Sequence, residues 1–347
     1  MAHKISIIGH FGFGKTLLNG QTIKTKIVTE ELENEYGNNE INKYDTHGGK
    51  ISVLKLPFQI LSALMKSENI IIFPAYNGLR VIAPLLCLAN RVFNRSLHYV
   101  VIGGWLPTFL DNKRYLAKKL ERFDGIYVET LSMKDELDKR GFHNVYVMPN
   151  CKQLEIIDEN SIQNDFLKPF KLCTFSRVMK AKGIEDAVMV VQEVNRELKQ
   201  VAFSLDIYGQ IDSDEVEWFS SLEESFPDYI RYGGLVPFGE STKVLKDYYA
   251  LLFPTYHDGE GFAGTLIDAM AAGLPVIASN WKYNPELVAE GKTGLLYESK
   301  NNEKFKECLL YAYNNRSIWN EMKKNCCREA YQFLPQHAVK VLKEHLR

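Results

Sequence analysis

Short runs of β-branched and apolar residues recur along this chain, each followed by a longer stretch with helical spacing, and that alternation limits the possible folds more than any other feature. A strand that must pass through a helix before the next strand returns parallel to it, so the rhythm predicts parallel sheets joined by crossover helices. In the first half, strands are expected at 4–8, 69–74, 97–102, 125–129 and 145–148, with helices at 22–36, 80–94, 112–122 and 130–140. The pattern pauses at the charge-rich, aperiodic stretch 155–168 and then restarts. Strands at 171–175, 202–208, 251–254 and 275–278 alternate there with helices at 184–198, 214–226, 241–249 and 265–272. The expectation is an α/β protein of two Rossmann-like, doubly wound halves, divided near residue 160, that face each other across a cleft. From Asn302 onward the chain reads as helical, with Trp319, Met322, Cys326 and Ala330 on one stripe and Pro335 bending the end.

At 347 residues the chain has the length of about two ordinary domains. Its 42 basic and 43 acidic residues give a net charge of -1, so no global field calls for nucleic acid. Six cysteines are scattered without zinc spacing and read as reduced thiols. The N-terminus enters a strand at once, with no signal-peptide pattern. Val81 to Ala89, the longest apolar run, is far short of the ~20 residues of a membrane span. A cytoplasmic protein is expected.

The segment Glu260 to Ser279, EGFAGTLIDAMAAGLPVIAS, sets a carboxylate and a glycine loop directly before a helix. A helix starting near Thr265 has unpaired N–H groups in its first turn, and Gly261 and Gly264 leave them open to an anion. Glu260 and Asp268 would flank that anion, and carboxylates beside a phosphate are suited to sugar hydroxyls. Thr265-x-x-Asp268 also reads as an ordinary helix cap, and the two readings are compatible. A second anion site opens the other half: Arg177 leaves the strand ending at Phe175, and Lys182 stands just before a helix. Together a guanidinium and an ammonium would neutralise a diphosphate.

Arg177 followed by Lys182-Gly183, and Glu260-Gly261-Phe262-Ala263-Gly264 with an acid eight positions after the Glu, resemble the large retaining glycosyltransferase family of group 1, number four in the usual classification, with the GT-B fold. LDIYG, ending at Gly209, is similar to a strand of that family, and the likeness covers most of the chain. It implies an N-terminal acceptor domain (1–160), a C-terminal nucleotide-sugar donor domain (161–330) and a C-terminal helix (331–347) that packs back on the first. It further implies that Arg177 and Lys182 hold the donor diphosphate, that Glu260 meets the donor sugar, and that Asp268 binds the ribose. Asp268 departs from the Glu usual at that position. Backbone N–H groups of Gly261, Phe262, Ala263, Gly264 and Thr265 would serve the phosphate. The donor implied is a nucleotide sugar, by family habit uridine-linked. The acceptor implied is a glycan or lipid-linked hydroxyl, as in surface polysaccharide synthesis. No cofactor or Asp-x-Asp metal motif is called for.

Two rival readings follow from other residues. Gly9-His10-Phe11-Gly12-Phe13-Gly14-Lys15-Thr16 matches the phosphate-binding loop G-x-x-x-x-G-K-T letter for letter, which would make the chain an ATPase. Against it, Asn19-Gly20 interrupts the helix such a loop must feed, and the next apolar strand lacks the aspartate that holds Mg²⁺. In the glycosyltransferase reading, Gly12 and Gly14 let donor and acceptor approach the backbone. The shortened acid at Asp268 also admits a non-catalytic GT-B accessory subunit. Finally, Arg80 to Arg122 carries eight basic residues against two acidic beside Trp105, Leu106, Phe109 and Leu110, a composition that would suit the inner face of an anionic membrane.

Overall fold

The computed structural model describes residues 3–15, 17, 19–162, 167–237 and 239–347. Contacts divide the chain into two compact units, Met1–Gln153 with Phe333–Arg347, and Leu154–Gln332. The chain passes from one to the other ahead of the charge-rich stretch, part of which, 163–166, lies outside the described residues.

Among the described residues each unit holds one six-stranded sheet. The first contains β1 (His3–Gly9), β2 (Ile41–Asp45), β3 (Ser67–Ile72), β4 (Ser96–Val100), β5 (Gly125–Val128) and β6 (Val145–Val147), in the order β2-β1-β3-β4-β5-β6. The second contains β7 (Phe170–Phe175), β8 (Phe203–Tyr208), β9 (Ile230–Gly234), β10 (Ala250–Phe253), β11 (Val276–Ser279) and β12 (Gly294–Tyr297), in the order β12-β11-β10-β7-β8-β9. Every strand pair is parallel, as the alternation of strand and helix requires. Both units are doubly wound α/β folds.

Several elements depart from the sequence reading, the short helix Leu106–Leu110 among them. β2, β9 and β12 were not expected, and all three lie at sheet edges; β2 and β9 are half solvated with a weak apolar run, while β12, Gly-Leu-Leu-Tyr, is apolar but only four residues long. The helix Lys50–Lys66 was hidden by Pro57 inside it. The helix Gly20–Tyr36 begins two residues earlier than its apolar pattern, because the Asn19 side chain caps it by accepting from the Thr22 N–H at 3.0 Å.

The first core joins Ile5, Ile7, Val28 and Phe73 to Val339 and Leu342 of the C-terminal segment. Lys343 fastens the same segment by pairing with Glu31 and Glu35, each at 3.0 Å. In the second unit Trp319 is fully buried and donates its indole N–H to the Tyr249 carbonyl at 2.9 Å, so the helix Arg316–Ala330 closes that core. Leu342→Ala should therefore destabilise the first unit by ~2–5 kcal/mol in urea unfolding. An unchanged midpoint would show that the C-terminal segment does not support that core.

Candidate active site

In the second sheet the chain leaves β7 for β8 on one side and later returns to β10 on the other, which makes the boundary between β7 and β10 the topological switch point. A cleft of about 280 Å³ opens there, with Arg177, Lys182, His257, Glu260, Gly264 and Thr265 in its wall. Roomier hollows of this unit, of about 650 and 690 Å³, lie around Arg196, Ser225 and Arg231, away from the carboxyl ends of the strands. Chemistry rather than volume singles out the cleft.

Each charged group arrives from a loop at the end of a strand. Beyond β7 the chain turns through Arg177 into the short 3-10 turn Lys180–Lys182. Two glycines permit this path. Gly209, at φ +137°, packs so closely that a Cβ would fall 1.7 Å from the Ser176 carbonyl oxygen, and Gly183, at φ +70°, would bring one within 2.3 Å of the Pro254 carbonyl oxygen. Gly209 thus backs the Arg177 turn from behind.

Beyond β10 the chain runs through Thr255 and His257 to Glu260. Lys182 Nζ lies 2.5 Å from Glu260 Oε2, with the side chains only 12% and 9% exposed. The Thr255 hydroxyl donates to the same oxygen at 2.8 Å, and the Tyr256 N–H donates to the Ala181 carbonyl at 2.8 Å. The two loops are therefore laced together at the switch point. Arg177 is 63% exposed and touches Asp212 at 3.3 Å, a solvated contact worth little.

The helix of the glycine loop is Gly264–Ala271, one residue ahead of the expected start. Thr265-x-x-Asp268 does not cap it. Ala263 is the N-cap and has no side-chain acceptor, while the Thr265 hydroxyl donates to the Phe175 carbonyl at 2.8 Å and pins the helix start to the end of β7. The first residues of this helix, Gly264 and Thr265, thus line a cleft that also bears Arg177 and Lys182, which is a setting for an anion.

Gly261 and Phe262 belong to the loop but are not among the cleft's wall residues, and Asp268 is buried within the helix. His257 was not anticipated from sequence. It sits three residues before Glu260, and its ring packs over Gly259, where a Cβ would lie 2.6 Å from Nε2. The signal available was the string Thr255-Tyr-His257-Asp-Gly-Glu260, a hydroxyl and an imidazole leading into the carboxylate.

In the first unit the corresponding switch point lies between β1 and β3. A hollow of about 450 Å³ there is walled by Gln21, Thr46, Leu56, Pro74, Tyr76 and Val81 among others. Tyr76 stacks on Trp105 at 4.2 Å between ring centroids, and Phe109 meets Trp105 edge-on at 5.1 Å.

The loop holding Gly12 and Gly14 follows β1, but it is not built to cradle phosphate. The Asp45 carboxylate accepts from the N–H groups of Phe11 at 2.9 Å and Phe13 at 3.0 Å, so a protein anion occupies the donors a triphosphate would need. Burial opposes ionisation of Asp45, yet donation from the His47, Phe13, Gly12 and Phe11 N–H groups prevails and holds its carboxyl below the usual value. Lys15 turns to His47 Nε2 at 3.2 Å, and the helix starts only at Gly20. Thr16 of the same motif lies outside the described residues. His98 is fully buried in β4, and burial lowers its imidazole to about 4.

Comparison with known proteins follows the same division. Residues 156–333, just over half the chain, match the family described as glycosyl transferases group 1. The GtfA subunit of the UDP-N-acetylglucosamine–peptide N-acetylglucosaminyltransferase of Streptococcus pneumoniae is 32% identical over 190 residues, 54% of this chain and 36% of that protein. An uncharacterized 41.2 kDa protein in the cps region of Klebsiella pneumoniae is 22% identical over 335 residues, 90% of each. The matched segments span only 36–53% of the length of several curated relatives. Among solved structures, Anabaena HepE in complex with UDP superposes with a TM-score of 0.75 at 13% identity, covering 99% of both chains.

Because no side chain fits between Gly209 and Ser176, Gly209→Ala should displace the Arg177 turn and lower stability by ~1–3 kcal/mol. Thermal unfolding of that variant at the wild-type midpoint would contradict the packing described.

Proposed function

This chain belongs to the glycosyl transferases group 1 family and has its two-domain GT-B fold, and from that premise we propose that it moves a sugar from a uridine diphosphate sugar to a hydroxyl of a glycan or lipid-linked acceptor. The transfer retains configuration at the anomeric carbon and serves synthesis of a surface polysaccharide. One observation carries the donor half of this reading: Arg177, Lys182, Glu260 and the start of the helix Gly264–Ala271 meet in a single cleft at a switch point. Relatives support the rest: one is a subunit of a UDP-N-acetylglucosamine–peptide N-acetylglucosaminyltransferase, one similar structure is in complex with UDP, and one relative is a protein in a cps region.

Departure of the nucleoside diphosphate is the demanding step, because charge grows on its phosphate oxygens. Groups already aimed at that charge lower the barrier without reorganising. Lys182 has three N–H donors, of which Glu260 takes one, leaving two for phosphate. Arg177 can swing from Asp212 at little cost. The N–H groups of Gly264 and Thr265 add the positive end of a helix, and Gly261, Phe262 and Ala263 complete the loop around the phosphates.

Glu260 receives Lys182 and Thr255 on Oε2, so Oε1 is assigned to a hydroxyl of the donor sugar. Asp268 is assigned to the ribose. No enzyme nucleophile is needed, because a phosphate oxygen of the leaving group accepts the acceptor's proton. Gly12 and Gly14 of the first unit are assigned to the approach of donor and acceptor, and the aromatic surface of Tyr76, Trp105 and Phe109 gives a sugar ring an apolar face to rest on.

Arg177→Ala should lower turnover of the preferred UDP-sugar by ~10²–10³ with the thermal midpoint unchanged. Turnover near wild type would remove Arg177 from the donor site. The chain should release no phosphate from ATP. An ATPase activity abolished by Lys15→Ala would restore the phosphate-loop reading. Tight UDP binding without transfer from any UDP-sugar across a broad acceptor panel would instead identify an accessory subunit.

A further inference from the structure

The helix Lys50–Lys66 turns a row of large apolar side chains to solvent. Leu54 is 75% and Phe58 77% exposed, and Leu61 and Met65 continue the row at helical spacing. Such a face is normally polar. The helix Tyr76–Phe93 repeats the arrangement at the same spacing: Val81, Leu88 and Val92 are exposed, Val92 at 82%, with Leu85 half-buried between them. The two helices pack against each other. They lead from β2 to β3 and from β3 to β4, successive crossovers in the same direction across the sheet, so right-handed connection places both on one face of it.

Charge on this face is one-sided. Neither helix contains an acidic residue. From Lys55 to Arg122 there are ten basic residues against three acidic, a local +7 in a chain whose net charge is -1. Lys55 and Lys66 are exposed beside the first row. Arg91, Lys119 and Arg122 gather near Cys87 of the second helix, whose thiol donates to the Lys119 carbonyl at 3.3 Å. Among the described residues no helix is long and apolar enough to cross a membrane.

We propose that this two-helix face docks the protein onto an anionic lipid bilayer, with the apolar rows entering the acyl boundary and the lysines and arginines meeting the headgroups. An apolar stripe edged by cations and free of acids is the composition of an interfacial helix. A protein partner fits less well, because lysine is depleted at protein interfaces and here stands directly beside the apolar rows. The wall of the hollow beside β3 takes Leu56 from the first helix and Tyr76, Val81 and Ile82 from the second, so the two helices that carry the exposed rows also border a partly apolar hollow. The docking claim is independent of the donor site, since vesicle binding needs no nucleotide sugar.

The test is flotation of the full chain with vesicles of phosphatidylcholine alone and of equal parts phosphatidylcholine and phosphatidylglycerol, at low and high salt. Binding should favour the anionic vesicles at least ~10-fold and weaken with salt, by ~5-fold for each of Lys55→Gln and Lys66→Gln. The double variant Leu54→Ser/Phe58→Ser should bind at least ~10-fold more weakly while keeping its thermal midpoint. Hydrogen exchange on the wild type should show vesicle-induced protection in 50–66 and 76–93. No binding, equal affinity for both vesicles, protection elsewhere, or a dimer that the double variant dissolves would each overturn the proposal, the last by making a second copy the occupant.

Discussion

The ion pair between Lys182 and Glu260 ties together the two loops on which the candidate active site depends. Lys182 reaches the switch point from the turn after β7, and Glu260 from the loop after β10, seventy-eight residues later in sequence. At 2.5 Å, and nearly closed to water, the pair fixes one loop against the other. A charge removed from such a pair leaves its partner poorly solvated, so the contact acts as a strong positional constraint even where its net stabilisation is small. Thr255 shares the same carboxylate oxygen, and the Thr265 hydroxyl ties the glycine-loop helix to the end of β7. An anion entering the cleft meets an ammonium and a helix start that are already in place, which is the arrangement a departing diphosphate requires.

The first unit is organised by different chemistry. Lys24 and Glu129 form a buried pair at 2.6 Å, with Lys24 also donating to the Val101 carbonyl, so the first helix is anchored to the carboxyl ends of β4 and β5. Asp45 occupies the N–H groups of the loop after β1 and removes the resemblance to a nucleoside triphosphate site. Among the described residues this unit also presents apolar and aromatic surfaces: the hollow beside β3, the Tyr76–Trp105–Phe109 cluster, and the exposed rows of two helices.

Much of this could be read from sequence because the decisive groups are local. Arg177 and Lys182 lie five residues apart on one turn, and Glu260 and Gly264 four apart on another, so each half of the cleft is a short string. The central strands were legible from their continuous apolar runs. The unread strands β2, β9 and β12 all lie at sheet edges, where β2 and β9 have a weaker apolar pattern and β12 is only four residues long. Thr265 misled for a tertiary reason: its hydroxyl bonds a carbonyl ninety residues distant, which no local rule for helix caps can anticipate. His257, packed on Gly259 two residues away, had a local signal that went unread, whereas the exposed rows again needed the tertiary structure. Their apolar residues look like core positions until the structure turns them outward.

Direct titration of UDP tests the central claim most sharply, comparing the wild-type chain with Arg177→Ala/Lys182→Ala and following stability by thermal shift. A ligand at about a hundred times its Kd stabilises the folded state by ~2.7 kcal/mol. The account predicts a shift of that order for the wild type and its disappearance in the double variant. Equal stabilisation of both proteins would place the diphosphate elsewhere and contradict the assignment of the cleft.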